Sequence, residues 1–177
     1  MFANKNVVPF CLMCTTLSFE KSYFGQIRKL VGRRLLKVPG TRIVVENENG
    51  EFLLQLRADC GKWGLLSGLP EEKEGIVDTA EREVQEETGL RPTLLVPRGF
   101  ACSPESEVFT YPNGDVIQNY ALLFHCKDWE GELSSRNSET LDLKFFNVDQ
   151  LPTMLPNHAI TVEGFLKYRK KGQFQII

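Results

Sequence analysis

The chain has 177 residues, 42% of them hydrophobic and 25% charged, with a formal net charge of −2. That is the composition of an ordinary globular protein with one substantial core, and it excludes a disordered or fibrous chain. No run approaches the roughly 20 apolar residues of a membrane span. The near-neutral balance carries no signature for nucleic acid or for an anionic membrane surface.

The apolar run at residues 7–14 contains Pro9 and lacks a small-residue cleavage site, so it reads poorly as a secretory signal. Five cysteines are scattered along a chain that needs no staples, which fits a reducing compartment, and a cytoplasmic protein is expected. Cys11 and Cys14 form a lone Cys-x-x-Cys without a partner pair and read as unpaired thiols. Tyr23, Ile27, Leu30 and Val31 recur at helical spacing, predicting a helix over 19–32 that Gly32 ends. The bases around its end (Arg28, Lys29, Arg33, Arg34, Lys37) read as a solvated face. Residues 1–37 are taken as an N-terminal extension and 38–177 as the main domain, opened by Pro39-Gly40.

Apolar runs at 42–46 and 52–57 flank Asn47-Glu48-Asn49-Gly50, a hairpin signal. Further strands are expected at 94–101, 107–111, 116–126 and 143–147, with turn chemistry at Pro112-Asn113-Gly114-Asp115. A last helix over 157–170, capped by Asn157, would place Val162, Phe165, Leu166 and Arg169 on one side. Strands interleaved with two or three helices predict an α/β (α+β) fold in which a mixed sheet packs between helices.

The informative segment is 68–90. A helix is predicted over 77–88, begun by the capping-box-like pair Asp78 and Glu81 and closed by Gly89. At about 100° per residue its faces separate. Val77, Ala80 and Val84 form an apolar stripe; Asp78, Glu81 and Gln85 face water; Glu83, Glu86 and Glu87 share a third face. Like charges four apart repel. From Glu74 to Thr88 six acids meet one base, Arg82, although the whole chain is only slightly acidic. Crowded carboxylates are readily explained if hard divalent cations neutralise them, which favours Mg²⁺, with Mn²⁺ as a substitute. Such a site can orient a pyrophosphate and acidify a bound water.

The spacing is specific. Gly68, five residues, Glu74, seven residues and then Arg82-Glu83-Val84-Gln85-Glu86-Glu87-Thr88-Gly89-Leu90 match nine restricted positions over 23 residues. This segment resembles the Nudix box, and the wider likeness runs from about Pro39 to His158, with Trp63-Gly64-Leu65 before the box and Phe145-Phe146 after it. The resemblance implies an α/β/α sandwich whose box forms a loop–helix–loop. It implies that Glu86 and Glu87 bind metal, that Glu83 is a ligand or the base activating water, that Glu74 supports the site, and that Arg82 holds the glutamates by ion pairs. The backbone carbonyl of Ser67 is a further candidate ligand. A small nucleotide-like substrate and a possible homodimer are family-level expectations. Two residues depart from the usual pattern: Ser67 and Lys73 stand where glycine is common. A positive φ at serine would cost roughly 1 kcal/mol, so altered loop geometry or reduced activity is expected.

Substrate choice lies outside the box. The first reading is hydrolysis of a nucleoside diphosphate linked to another group; the alternatives are a nucleoside triphosphate pyrophosphohydrolase and a non-catalytic sensor of nucleotide sugars. Trp63, Phe109 and Tyr111 are read as core rather than base-stacking residues. Glu139 and Asp142 are read as a solvated turn rather than late metal ligands. His158 is read as a helix cap rather than a substrate contact.

Overall fold

The computed structural model describes residues 21–110, 113–134 and 139–177. The Cys11–Cys14 pair, the start of the first predicted helix and Tyr111 lie outside the described residues. In chain order the elements are α1 (Tyr23–Val31), β1 (Leu36–Val45), β2 (Phe52–Arg57), β3 (Trp63–Gly64), β4 (Leu66–Gly68), α2 (Ile76–Thr88), β5 (Arg91–Pro92) and β6 (Val96–Ala101). There follow a single turn α3 (Pro104–Glu107), β7 (Val108–Thr110), β8 (Val116–Cys126), β9 (Trp129–Glu130), β10 (Thr140–Phe146), α4 (Pro156–Lys171) and β11 (Gln175–Ile176).

Among the described residues the larger sheet runs β11-β6-β8-β1-β4, with β7 also on β8. It is mixed: β1 lies parallel to β8, while β4 and β6 are antiparallel additions. A second, antiparallel sheet runs β10-β2-β3, and β5 pairs with β9. The consecutive apolar residues of the central strands follow from burial on both faces. Ile43, Val45, Leu53, Phe124 and Cys126 pack against Ala80 and Val84 of α2. Their neighbours Val44, Phe52, Leu54 and Leu123 pack against Val162 and Phe165 of α4. Alternation of period two thus feeds two cores, and the result is the expected helix–sheet–helix sandwich.

Several expectations change. The turn at Asn47–Gly50 forms, with Asn47 Oδ1 accepting from the backbone N–H of Asn49 and of Glu51. Yet β1 and β2 meet only at the Glu46–Phe52 bridge and then diverge into different sheets, so they are not a paired hairpin. β1 starts at Leu36 rather than 42, because its parallel partner β8 runs beside it from Ile117. Before Thr41 only β8 flanks it, an edge position that admits Pro39. Glu107 belongs to α3 instead of a strand, and β10 begins at Thr140. α4 starts with Pro156 as its first helical residue and Leu155 before it; Asn157 is inside the first turn and is not the cap. No helix among the described residues is long and apolar enough to cross a membrane.

Candidate active site

Glycine supplies both ends of α2. Gly75 precedes the first turn, and its N–H donates to Asp78 Oδ2 at 3.2 Å. Gly89 closes the helix with φ +75°. Asp78 is therefore the third helical residue rather than the cap. With the start at Ile76, the stripe that faces the sheet is Ile76, Ala80 and Val84, and Val77 is 45% exposed instead of buried. Asp78, Glu81 and Gln85 face water as expected. Next to the stripe, Glu83 and Glu87 are turned inward and are 8% and 3% exposed. Glu86, about one turn from Glu83 and next to Glu87 in the chain, keeps about a third of its side chain exposed.

Arg82 ties the acids of the loop to those of the helix. Its Nε and Nη2 donate to Glu74 Oε1 and Oε2 at 2.7 and 3.0 Å, a two-pronged pair of the strong kind. Nη1 donates to Glu83 Oε1 at 2.7 Å and to Glu86 Oε2 at 3.1 Å, and Nη2 also reaches the Leu69 carbonyl. Burial alone would weaken the guanidinium as a base, but the Glu74 and Glu83 carboxylates outweigh it and keep the charge in place. The hydrogen bond from Arg82 in turn holds Glu74 below the usual carboxylate range.

Glu87 has a different environment. Its Oε1 accepts from Gln55 Nε2 at 3.1 Å, and the same Nε2 donates to Thr140 Oγ1 at 2.7 Å. Its Oε2 is buried and has no hydrogen-bond partner. Glu139, expected in a solvated turn, is only 9% exposed and repels both Glu83 and Glu87. Asp142 is exposed, in keeping with its reading. Burial pushes Glu83 up to about 7, with Arg82 opposing and Glu86 and Glu139 adding to the rise. Burial and the Glu83 charge push Glu87 well above the usual range, against the pull of Arg57 and Gln55. Arg57 is fixed by Asp59 at 2.7 Å.

The strand β4 completes the arrangement. Ser67 pairs with Arg42 of β1 and has no positive φ, so serine there is unstrained. The strain falls on Lys73, which adopts φ +68°. Gly68 faces Glu83 so closely that a side chain would overlap the carboxyl group. His158 neither caps α4 nor belongs to this cluster: buried in the core, its Nδ1 accepts the Leu65 N–H at 2.9 Å. Burial and the nearby Arg42 and Arg57 keep that ring neutral, as an acceptor at Nδ1 requires. Trp63 packs edge-on against Phe146 at 4.8 Å, a core contact, and Phe109 is half-buried.

Glu74, Arg82, Glu83 and Glu86 are thus joined directly, while Glu87 connects to the group through its repulsion with Glu83. Ser67 is placed alongside by the strand that carries Gly68. Among the described residues no three carboxylate, imidazole or thiol groups form a ready-made metal cluster, because the Arg82 guanidinium lies between Glu83 and Glu86. The buried, unpartnered Glu87 Oε2 beside two further acids is nevertheless what an oxygen-preferring divalent cation fits. Sequence reasoning missed Gln55 and Arg57, whose positions in a strand held no local signal, and it misjudged Glu139.

Residues 36–167 match the NUDIX domain. The ADP-ribose pyrophosphatase of Methanocaldococcus jannaschii is 26% identical over 85% of this chain and 89% of its own length. The NAD-capped RNA hydrolase NudC of Pseudomonas syringae is 30% identical over 75% of this chain, which spans 46% of that relative's length. Among solved structures, a MutT NUDIX hydrolase from Burkholderia pseudomallei aligns with a TM-score of 0.62 at 21% identity, covering 72% of this chain and 97% of that one. The NUDIX domain of Shewanella oneidensis NrtR, complexed with ADP ribose, aligns at 0.61 and 17%, covering 75% and 88%. These two share the fold. The chain belongs to the NUDIX family of pyrophosphate hydrolases.

Proposed function

We propose that the protein hydrolyses the pyrophosphate bond of a nucleoside diphosphate linked to a second group, with Mg²⁺, or Mn²⁺ in its place, held at the acidic edge of α2. The observation that carries this reading is Glu87 Oε2, buried without a hydrogen-bond partner on a carboxyl that the Glu83 and Glu139 charges repel. An ionised oxygen in that position is costly unless a cation faces it.

In this reading Glu86 and Glu87 hold the metal together with the Ser67 carbonyl. Glu86 is the acid with room to turn from Arg82, since it is the most exposed of the three. When bound, Mg²⁺ neutralises the diphosphate and acidifies a coordinated water. Glu83 accepts the proton of the attacking water; burial gives its carboxyl an affinity for protons suited to neutral pH. Arg82 keeps Glu83 in place, and Glu74 fixes Arg82 from the loop side. Arg57, near Glu87 and a quarter exposed, supplies positive charge for a phosphate oxygen.

The ADP-ribose pyrophosphatase aligned over most of both chains makes ADP-ribose the first probe, and the nucleoside triphosphatase NudI of Enterobacter, 26% identical over 92% of its own length, makes triphosphates the second. The test is a panel of ADP-ribose, other linked diphosphates and nucleoside triphosphates with Mg²⁺, the products separated by chromatography. Two monophosphates from ADP-ribose are expected. Release of inorganic pyrophosphate from triphosphates alone would favour the triphosphate reading, and no cleavage with Mg²⁺ or Mn²⁺ would remove the proposal.

A further inference from the structure

Gln55 lies in the middle strand of the smaller sheet, paired with Leu143 of β10 and Gly64 of β3, and is 1% exposed. A buried primary amide in an otherwise apolar strand is expensive unless its hydrogen bonds are made. Leu53 two residues before packs under Val84 of α2, so period-two alternation puts Gln55 on the same side, under the last turn of that helix. There its Nε2 uses both hydrogens, one on Glu87 Oε1 and one on Thr140 Oγ1.

The direction of the amide follows from its partners. Ionised, as a metal ligand must be, the Glu87 carboxylate accepts only, whereas a threonine hydroxyl can accept or donate. The nitrogen must therefore face Glu87, and Gln55 Oε1 is left buried without a hydrogen bond. The arrangement makes sense if the nitrogen's two bonds serve another purpose.

We propose that Gln55 is a positioning residue for the metal site. By holding one oxygen of Glu87, it fixes the rotation of that carboxyl group and leaves Oε2 as the oxygen presented to a cation. By bonding Thr140 with the same nitrogen, it sets the distance between the end of α2 and the start of β10. Glu139, adjacent to Thr140 and electrostatically coupled to Glu83 and Glu87, is located by the same brace. The tie reaches 32 residues along the chain to Glu87 and 85 to Thr140, so no local feature of the chain supplies it. Gln55 does not itself touch substrate in this account.

This inference rests on the metal reading given above. Partners that orient a metal ligand typically change affinity by about 10–100-fold when removed. The direct test titrates Mn²⁺ into the full chain without nucleotide, counting free Mn²⁺ by its paramagnetic resonance signal. Gln55→Leu, nearly isosteric, should weaken Mn²⁺ binding about tenfold or more, and excess Mn²⁺ should restore most of the turnover. Gln55→Met is a second variant should leucine prevent folding. Phe165→Leu, a core change on the opposite face, should lower thermal stability without altering Mn²⁺ affinity. Unchanged Mn²⁺ affinity in a folded Gln55 variant would overturn the proposal, as would an equal loss in Phe165→Leu. Absence of Mn²⁺ uptake by the unaltered protein would instead remove the metal reading on which it stands.

Discussion

Gly68 and Glu83 are in direct apposition: a methyl group on the Gly68 Cα would coincide with the Glu83 carboxyl. β4 can lie this close to α2 only because that position has no side chain, and the closeness buries Glu83. Gly68→Ala is expected to displace Glu83 and to lower turnover at least a hundredfold, since misplacement of a reacting group by about 1 Å has that effect. Circular dichroism should show the fold retained. An alanine variant with undiminished turnover would contradict the role given to Glu83.

Lys73 carries backbone strain that glycine would relieve. At φ +68° a side chain costs about 1 kcal/mol, part of which glycine gives back through the freer unfolded chain. Lys73→Gly should raise stability by about 0.5 kcal/mol, read by denaturant unfolding with an unchanged slope. A decrease would show that the Lys73 side chain makes a compensating contact.

The acidic edge has a pH signature of its own in metal-free protein. Folding raises Glu83 from 4.5 to about 7, so between those values the folded chain holds a proton that the unfolded chain has released. Stability from this group is full below about pH 4.5 and is lost as pH rises through about 7. Glu87 acts in the same sense. His158, neutral when folded, contributes the opposite slope below its unfolded value of 6.5. Comparing Glu83→Gln with the unaltered protein in chelator, near pH 5 and near pH 8, isolates the glutamate. The difference between them should be larger near pH 8, with glutamine the more stable, and Mg²⁺ should reduce it.

Arg42 and Glu107 form a two-pronged pair at 2.7 and 2.6 Å that is almost wholly buried, with Thr161 Oγ1 as a third partner. Removing one member leaves an uncompensated charge in the core, so Glu107→Gln or Arg42→Met alone should destabilise by about 3–5 kcal/mol. Replacing both with apolar residues should cost much less. Equal losses in the single and double variants would deny the pair its coupling.

How far the chain could be read in advance follows from the separation of the residues involved. α2, its glutamate edge and the C-terminal Gly89 were legible because helical spacing and end signals act within four residues. β8 and β2 were legible as apolar runs with exact bounds. The one-residue misplacement of the α2 stripe, Val77 for Ile76, came from reading Asp78 as the cap when Gly75, with no side chain to bond, begins the helix. Gln55 with Glu87, His158 with Leu65 and Arg42 with Glu107 lie 32 to 93 residues apart, and their polar chemistry is decided only when the two sheets and α4 come together. Glu139 looks like any acid before a strand until Thr140 is tied to Gln55.

The claim on which the rest depends is that the inward acids of α2 hold a divalent ion. Crystals grown with Mn²⁺ and measured at its absorption edge test it directly. The account predicts an anomalous peak at coordination distance, about 2.1–2.3 Å, from Glu87 Oε2, and its loss in Glu87→Gln. A map with no peak near α2, or one that persists unchanged in that variant, would contradict it.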